Sequence, residues 1–149
     1  MTSNEFQCTF SVPQSPGEVF AAISDPKSWW TGDIEGSADK VGDTFSYRYA
    51  DVHYSKQKVT DLVPGERVVW LVLESHLPGN ADPEEWTGTE IRFEITDSEG
   101  QTEVRFSHQG LVPSFQCFDS CSSAWGFYLN GSLKRLITTG DGPAIPPWA

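Results

Sequence analysis

The segment FDSCSSAWGFYLNGSLKRLITTG, residues 118–140, decides the reading of this 149-residue chain. Phe118, Ser122, Trp125, Leu129, Leu133, Leu136 and Ile137 recur at steps of three and four, so they share one broad stripe of a helix. Lys134 and Arg135 lie toward its end and Gly140 just beyond, as a helix C-terminus prefers. Gly126 and Gly131 inside it each cost about 1 kcal/mol relative to Ala, a cost that suggests a close approach or space left for something.

Upstream the period changes from helical to two. Phe6, Cys8, Phe10 and Val12 alternate with Gln7, Thr9 and Ser11 as a first strand with one buried face. Ser15-Pro16-Gly17-Glu18 then supplies an N-cap, a proline at the first helical position and an acid three residues after the cap. A short helix through Val19, Phe20 and Ile23 is expected there. Asp25-Pro26 repeats the signal, so a second brief helical turn carries Trp29 and Trp30 before Gly32.

From Gly42 onward strands return. Phe45, Tyr47 and Tyr49 mark one, and His53 to Val63 a second that ends at Pro64-Gly65, which fits the centre of a type II turn. Glu66 to about Ser75 is apolar on both faces and so central in a sheet. A polar loop follows, His76 to Thr87, with Trp86 near its end and the acidic run Asp82-Pro83-Glu84-Glu85 as a solvated stretch or a pocket rim. Thr89, Ile91, Phe93 and Ile95, then turn residues 97–100, then Thr102, Val104, Phe106 and His108, read as a tight hairpin.

This order gives an α+β domain: a curved antiparallel sheet of about six strands, two short helices after the first strand, and the long final helix gripped in the hollow. The whole of 1–149 reads as one domain with a core of about residues 5–140, and Asp141 to Ala149, with three prolines, as an extended tail.

Ten basic against twenty-one acidic residues give a formal charge of −11, which repels polyphosphate and anionic headgroups, so nucleic acid is not an expected partner. No apolar run approaches a membrane span and no signal-peptide pattern opens the chain; no membrane insertion and a cytoplasmic address are expected. Three cysteines, Cys8, Cys117 and Cys121, with no C-x-x-C pair, suit reduced thiols and leave no metal constellation.

Several of these segments together carry a resemblance: Ser15 to Phe20, Asp25-Pro26 with Trp29-Trp30, Val63-Pro64-Gly65-Glu66-Arg67-Val68-Val69-Trp70, Gly88 to Ile91, and Phe106 to Gly110 with Trp125 and Leu129. Their order resembles the START-like (SRPBCC) superfamily, and within it the branch named for the C-terminal domain of the Hsp90 ATPase activator. The resemblance implies a helix-grip fold with a deep cavity. It also spans lipid and hormone carriers, polyketide cyclases and oxygenase subunits, so the family alone does not fix an activity.

Parity and stripe together point Trp30, Tyr47, Trp70, Phe93, His108, Phe118, Trp125 and Leu129 into the space between sheet and helix, with Trp86 at its mouth. The expected function is binding of a small hydrophobic or aromatic molecule there, with His108 and Tyr47 as polar anchors and no cofactor. Two alternatives stand beside it. One is a cyclase, dehydratase or hydrolase-like enzyme with His108 as its acid or base, although no nucleophile or carboxylate partner is evident. The other is a modulator of an Hsp90-type chaperone; a homodimer is compatible with each. His53 and His76 lie near loop ends, where exposure is the default expectation.

Overall fold

The computed structural model describes residues 6–30, 33–49, 53–76, 84, 86–111 and 118–140, with backbone alone at Ser98 and at 118–121. Its strands are β1 (Phe6–Val12), β2 (Asp33–Gly36), β3 (Thr44–Tyr49), β4 (His53–Val63), β5 (Arg67–His76), β6 (Glu90–Ser98) and β7 (Gln101–Gln109). Helix α1 (Pro16–Ile23) follows β1, and the C-terminal helix comprises α2 (Phe118–Gly126), a π-helical segment (Phe127–Leu133) and α3 (Lys134–Thr139).

All strands join one antiparallel sheet in the order β1-β7-β6-β5-β4-β3-β2. Short connections account for most of that order, because neighbours in sequence become neighbours in the sheet. Two register shifts between β4 and β5, at Lys56/Gln57 and Val59/Asp61, add the local bend that lets a sheet wrap a helix.

Turn chemistry sets the hairpins. Gly65 sits at φ 73° after Pro64, and the Glu66 amide donates to the Val63 carbonyl at 2.9 Å, which closes the expected type II turn. Between β6 and β7, both Glu99 (φ 49°) and Gly100 (φ 82°) adopt positive φ, as a two-residue type I′ turn requires. Glutamate is a poor occupant of that region and asparagine a good one. Glu99→Asn should therefore raise stability by about 0.5 kcal/mol, read as an increased urea midpoint with unchanged slope.

In two places the structure adds to the expected plan. The turn after Asp25 is a single 3-10 turn (Pro26–Ser28), held by the Ser28 hydroxyl donating to Asp25 Oδ2 at 2.6 Å; it delivers Trp29 and Trp30 to the core. A seventh strand, β2, pairs with β3 at the sheet edge. It is four residues long with two acids, the kind of short charged edge that discourages further pairing. A Cβ at Gly36 would meet the Thr44 carbonyl oxygen at 2.4 Å, so the pairing needs glycine there.

Ser15 caps α1 as expected, its Oγ accepting from the Glu18 amide at 3.3 Å. The C-terminal helix lies on the inner face of the sheet. Asn130, Gly131 and Ser132 run consecutively as weak α-formers where its ladder widens. Ser132 uses that turn to donate from Oγ to the Trp29 carbonyl at 2.5 Å, tying the helix to the 3-10 turn. Gly140 ends α3 at φ 80°, in the left-handed conformation. Residues 141–149, Cys117 and most of the loop after β5 lie outside the described residues. Among the described residues, no helix is long and apolar enough to cross a membrane.

Candidate functional site: an aromatic interior with unmet hydrogen bonds

Period two places Phe45, Tyr47 and Tyr49 on the inner face of β3, directly opposite Gln57, Ser55 and His53 of β4. Aromatic side chains thus face polar ones across a single strand pair. On β5 the inner face carries Val68, Trp70 and Val72, on β6 Ile91 and Phe93, and on β7 Val104, Phe106 and His108, all buried.

These side chains close a circuit. Trp70 stacks on Trp30 at 6.5 Å between ring centroids, Trp30 meets Trp125 of the helix at 5.1 Å, and Trp125 stacks on Trp86 at 5.9 Å. Trp86 and His53 pack T-shaped at 4.5 Å between ring centroids, and His53 Nε2 lies 3.3 Å from Ser55 Oγ. Ser55 Oγ accepts from Gln57 Nε2 at 2.6 Å, and Gln57 stands beside Phe45, which packs edge-on against Trp70 at 4.9 Å. Tyr47 stacks on Trp30 at 4.1 Å, and its hydroxyl lies 3.3 Å from that of Tyr128 on the helix.

Histidine 108 is held on both nitrogens. The Trp125 indole donates to Nδ1 at 3.1 Å, so the ring proton sits on Nε2 and points at Thr89 Oγ1, 2.8 Å away; Thr89 in turn donates to the Trp86 carbonyl at 2.5 Å. Gly110 makes room for that threonine, since a Cβ there would come within 2.8 Å of Thr89 Cγ2 at φ 102°. Burial, and then the nearby His53, lower the His108 pKa to about 3. The arrangement fixes a proton in place and leaves neither nitrogen for a substrate.

His53 keeps part of its residue surface exposed, yet its ring packs between Tyr47 and Trp86, and burial lowers its pKa to about 4. The sequence reading placed it at a loop end in solvent. Its parity with Ser55, Gln57 and Val59 on β4 is the signal that finds it. The Tyr47 and Tyr128 hydroxyls are both pushed up, first by burial, and stay protonated.

Among the described residues, four polar atoms toward this interior have no partner within the protein: Trp70 Nε1, Trp86 Nε1, Gln57 Oε1 and, on α2, Ser122 Oγ. Trp70 and Gln57 are fully buried and Trp86 is 3% exposed, so bulk water does not readily serve them. On the same helix stripe as Ser122 lies Gly126, where an added Cβ would meet no described atom within 4 Å.

Of the residues singled out in the sequence, Trp30, Tyr47, Trp70, Trp86, Phe93, His108, Trp125 and Leu129 are all buried on this inner surface. The Phe118 side chain and the Asp82-Pro83-Glu84-Glu85 run, apart from Glu84, lie outside the described residues. Ser55 and Gln57 carry no sequence signal of their own, and Thr89 has only the inward parity it shares with Ile91 and Phe93. Among the described residues, no group of three acidic, histidine or cysteine side chains could hold a metal ion.

Comparison with known proteins gives a consistent picture. The family described as activator of Hsp90 ATPase homolog 1-like protein matches residues 13–138. The solution structure of the Aha1 dimer from Colwellia psychrerythraea is similar at a TM-score of 0.75 and 31% identity, covering 93% of this chain and 98% of that one. DynU16, from the dynemicin biosynthetic locus, shares the fold at a TM-score of 0.66 and 17% identity, over 94% of this chain and 49% of its own. CalU16 from Micromonospora echinospora does so at 0.64 and 16%, over 90% and 76%. No curated protein matches the chain.

Proposed function

The chain belongs to the activator of Hsp90 ATPase homolog 1-like family, and from that premise we propose that it binds a small hydrophobic or aromatic molecule between the sheet and the C-terminal helix. The observation that carries this reading is the set of unpaired buried polar atoms on Trp70, Trp86 and Gln57. A buried polar group without a partner costs about 1–3 kcal/mol, and such groups are rare in folded proteins. Three on adjoining aromatic walls amount to a standing cost that an occupant bearing complementary atoms would offset. Tyr47 and His108 belong to the same wall, and Trp30, Phe93, Trp125, Leu129 and Phe118 would supply its apolar contacts.

Thermal denaturation against a panel of neutral hydrophobic metabolites tests this, because a ligand at 100 times its dissociation constant adds about 2.7 kcal/mol. A uniformly flat response would sink it. Gly126→Leu sharpens the test. Leucine improves helix propensity by up to about 1 kcal/mol over glycine, so the variant should fold with equal or higher stability while its ligand shift disappears. A variant that still binds would show that the space beside Gly126 is not part of the site.

A second reading rests on the 31% identity with the Colwellia protein across nearly the whole chain. On it, the chain modulates an Hsp90-type chaperone through its surface and self-associates. Chaperone ATPase rates with and without the protein, and its mass in solution by light scattering, test the two parts separately.

A further inference from the structure

The two edges of the sheet are built differently. β2 is four residues long, carries Asp33 and Glu35, and ends at Gly36, so it offers little to another strand. β1, at the opposite edge, is seven residues long and pairs with β7 over its whole length without a register shift. It contains no charge and no proline, and among the described residues no strand lies beyond it. Charge, proline and bulge, the devices that commonly keep an edge from pairing, are all missing along it.

One hydrogen bond fixes which backbone groups this edge presents. The Phe6 amide donates at 3.0 Å to the carbonyl of Leu111, two residues past the end of β7. Successive residues of a strand turn their amides to opposite edges, so Cys8, Phe10 and Val12 also address β7. Gln7, Thr9 and Ser11 therefore present amide and carbonyl outward, and all three residues are exposed.

Their spacing is symmetric about Thr9. A second copy running antiparallel sets Thr9 opposite Thr9 and Gln7 opposite Ser11, and each opposed pair exchanges two main-chain hydrogen bonds. The same register sets Phe6 against Val12 and Cys8 against Phe10 on the inner row, where Phe6 and Cys8 are only half-buried in a single copy. On the outer row, Glu103 and Arg105, the β7 neighbours of Ser11 and Thr9, pair with each other at 3.3 Å and leave that row without net charge.

Building on the proposed self-association, we infer that β1 is its seam: two copies join edge to edge, antiparallel about Thr9, into one continuous sheet with both C-terminal helices on the same side.

Light scattering across a dilution series, on the wild-type chain and on variants at Thr9, tests this. Thr9→Pro removes an outward amide and leaves the ladder with β7 intact, and Thr9→Lys sets two cations against each other on an exposed row. Each should raise the dimer dissociation constant at least about tenfold, with the urea midpoint of the monomer little changed. The lysine variant carries the test if the proline variant does not fold. Thr9→Cys should form an intermolecular disulfide under mild oxidation, because Cα atoms in such an opposed pair lie about 5.5 Å apart. It should do so well ahead of Gln7→Cys, Ser11→Cys and the wild-type chain. A wild-type chain that stays monomeric at every concentration overturns the self-association and this seam together. A dimer that both Thr9→Pro and Thr9→Lys leave intact overturns the seam alone, and equal cross-linking at positions 7, 9 and 11 overturns the register.

Discussion

On acidification from pH 7 to about 4.5 the protein should lose on the order of 4–5 kcal/mol of stability, chiefly through two histidines. Folded, His53 and His108 are neutral, with pKa values lowered to about 4 and about 3, in both cases first by burial. Unfolded, each titrates near 6.5. Between roughly pH 6.5 and 4 the unfolded chain therefore binds protons that the native chain refuses, and mass action pulls toward unfolding as pH falls. The slope is about 1.4 kcal/mol per pH unit per histidine, and the loss levels off once pH passes below the folded values. Urea unfolding at a series of pH values measures it. His53→Gln should remove roughly half of the dependence; a wild-type profile flat between pH 7 and 4.5 would contradict the burial of both rings.

Trp30→Ala should be the most damaging truncation, at about 3–5 kcal/mol. Trp30 is 2% exposed and touches five other aromatic rings, Trp29, Phe45, Tyr47, Trp70 and Trp125. Its removal opens a cavity bounded by both the sheet and the helix, so neither side can collapse to fill it without shifting the other. The denaturation midpoint should fall accordingly, and Trp30→Phe, which keeps a ring in place, should recover more than half of the loss. A cost below about 1 kcal/mol would mean the neighbouring rings repack freely.

How much of this is legible in sequence depends on the element. The C-terminal helix, the Pro64-Gly65 turn and the β6–β7 hairpin announce themselves because their residue types are locally required. β2 does not: a single apolar residue in Asp33-Ile34-Glu35-Gly36 offers no period, and only pairing with β3 makes it a strand. The aromatic wall was readable from parity. Thr89 shares the parity of Ile91 and Phe93, but the other polar members of the site are not readable, because Ser55 and Gln57 look like surface residues until the register sets them opposite Tyr47 and Phe45. His108 shows the complementary limit. Its inward position follows from alternation, but its neutral, doubly held state depends on Trp125 and Thr89, which are distant in sequence and meet it only in the fold.

The pairing of β1 with β7 sets Phe6 opposite His108, so β1 finds its partner roughly a hundred residues later in the chain. During synthesis that strand, with Phe6, Cys8 and Phe10 on one face, must leave the ribosome long before anything exists to cover it. The sheet can grow hairpin by hairpin from β3 onward, but its last seam closes only after β7 has emerged. The residues of β1, made before the other strands of this sheet, are thus among the latest to be protected, and until then they are the natural clients of whatever holds nascent apolar segments apart.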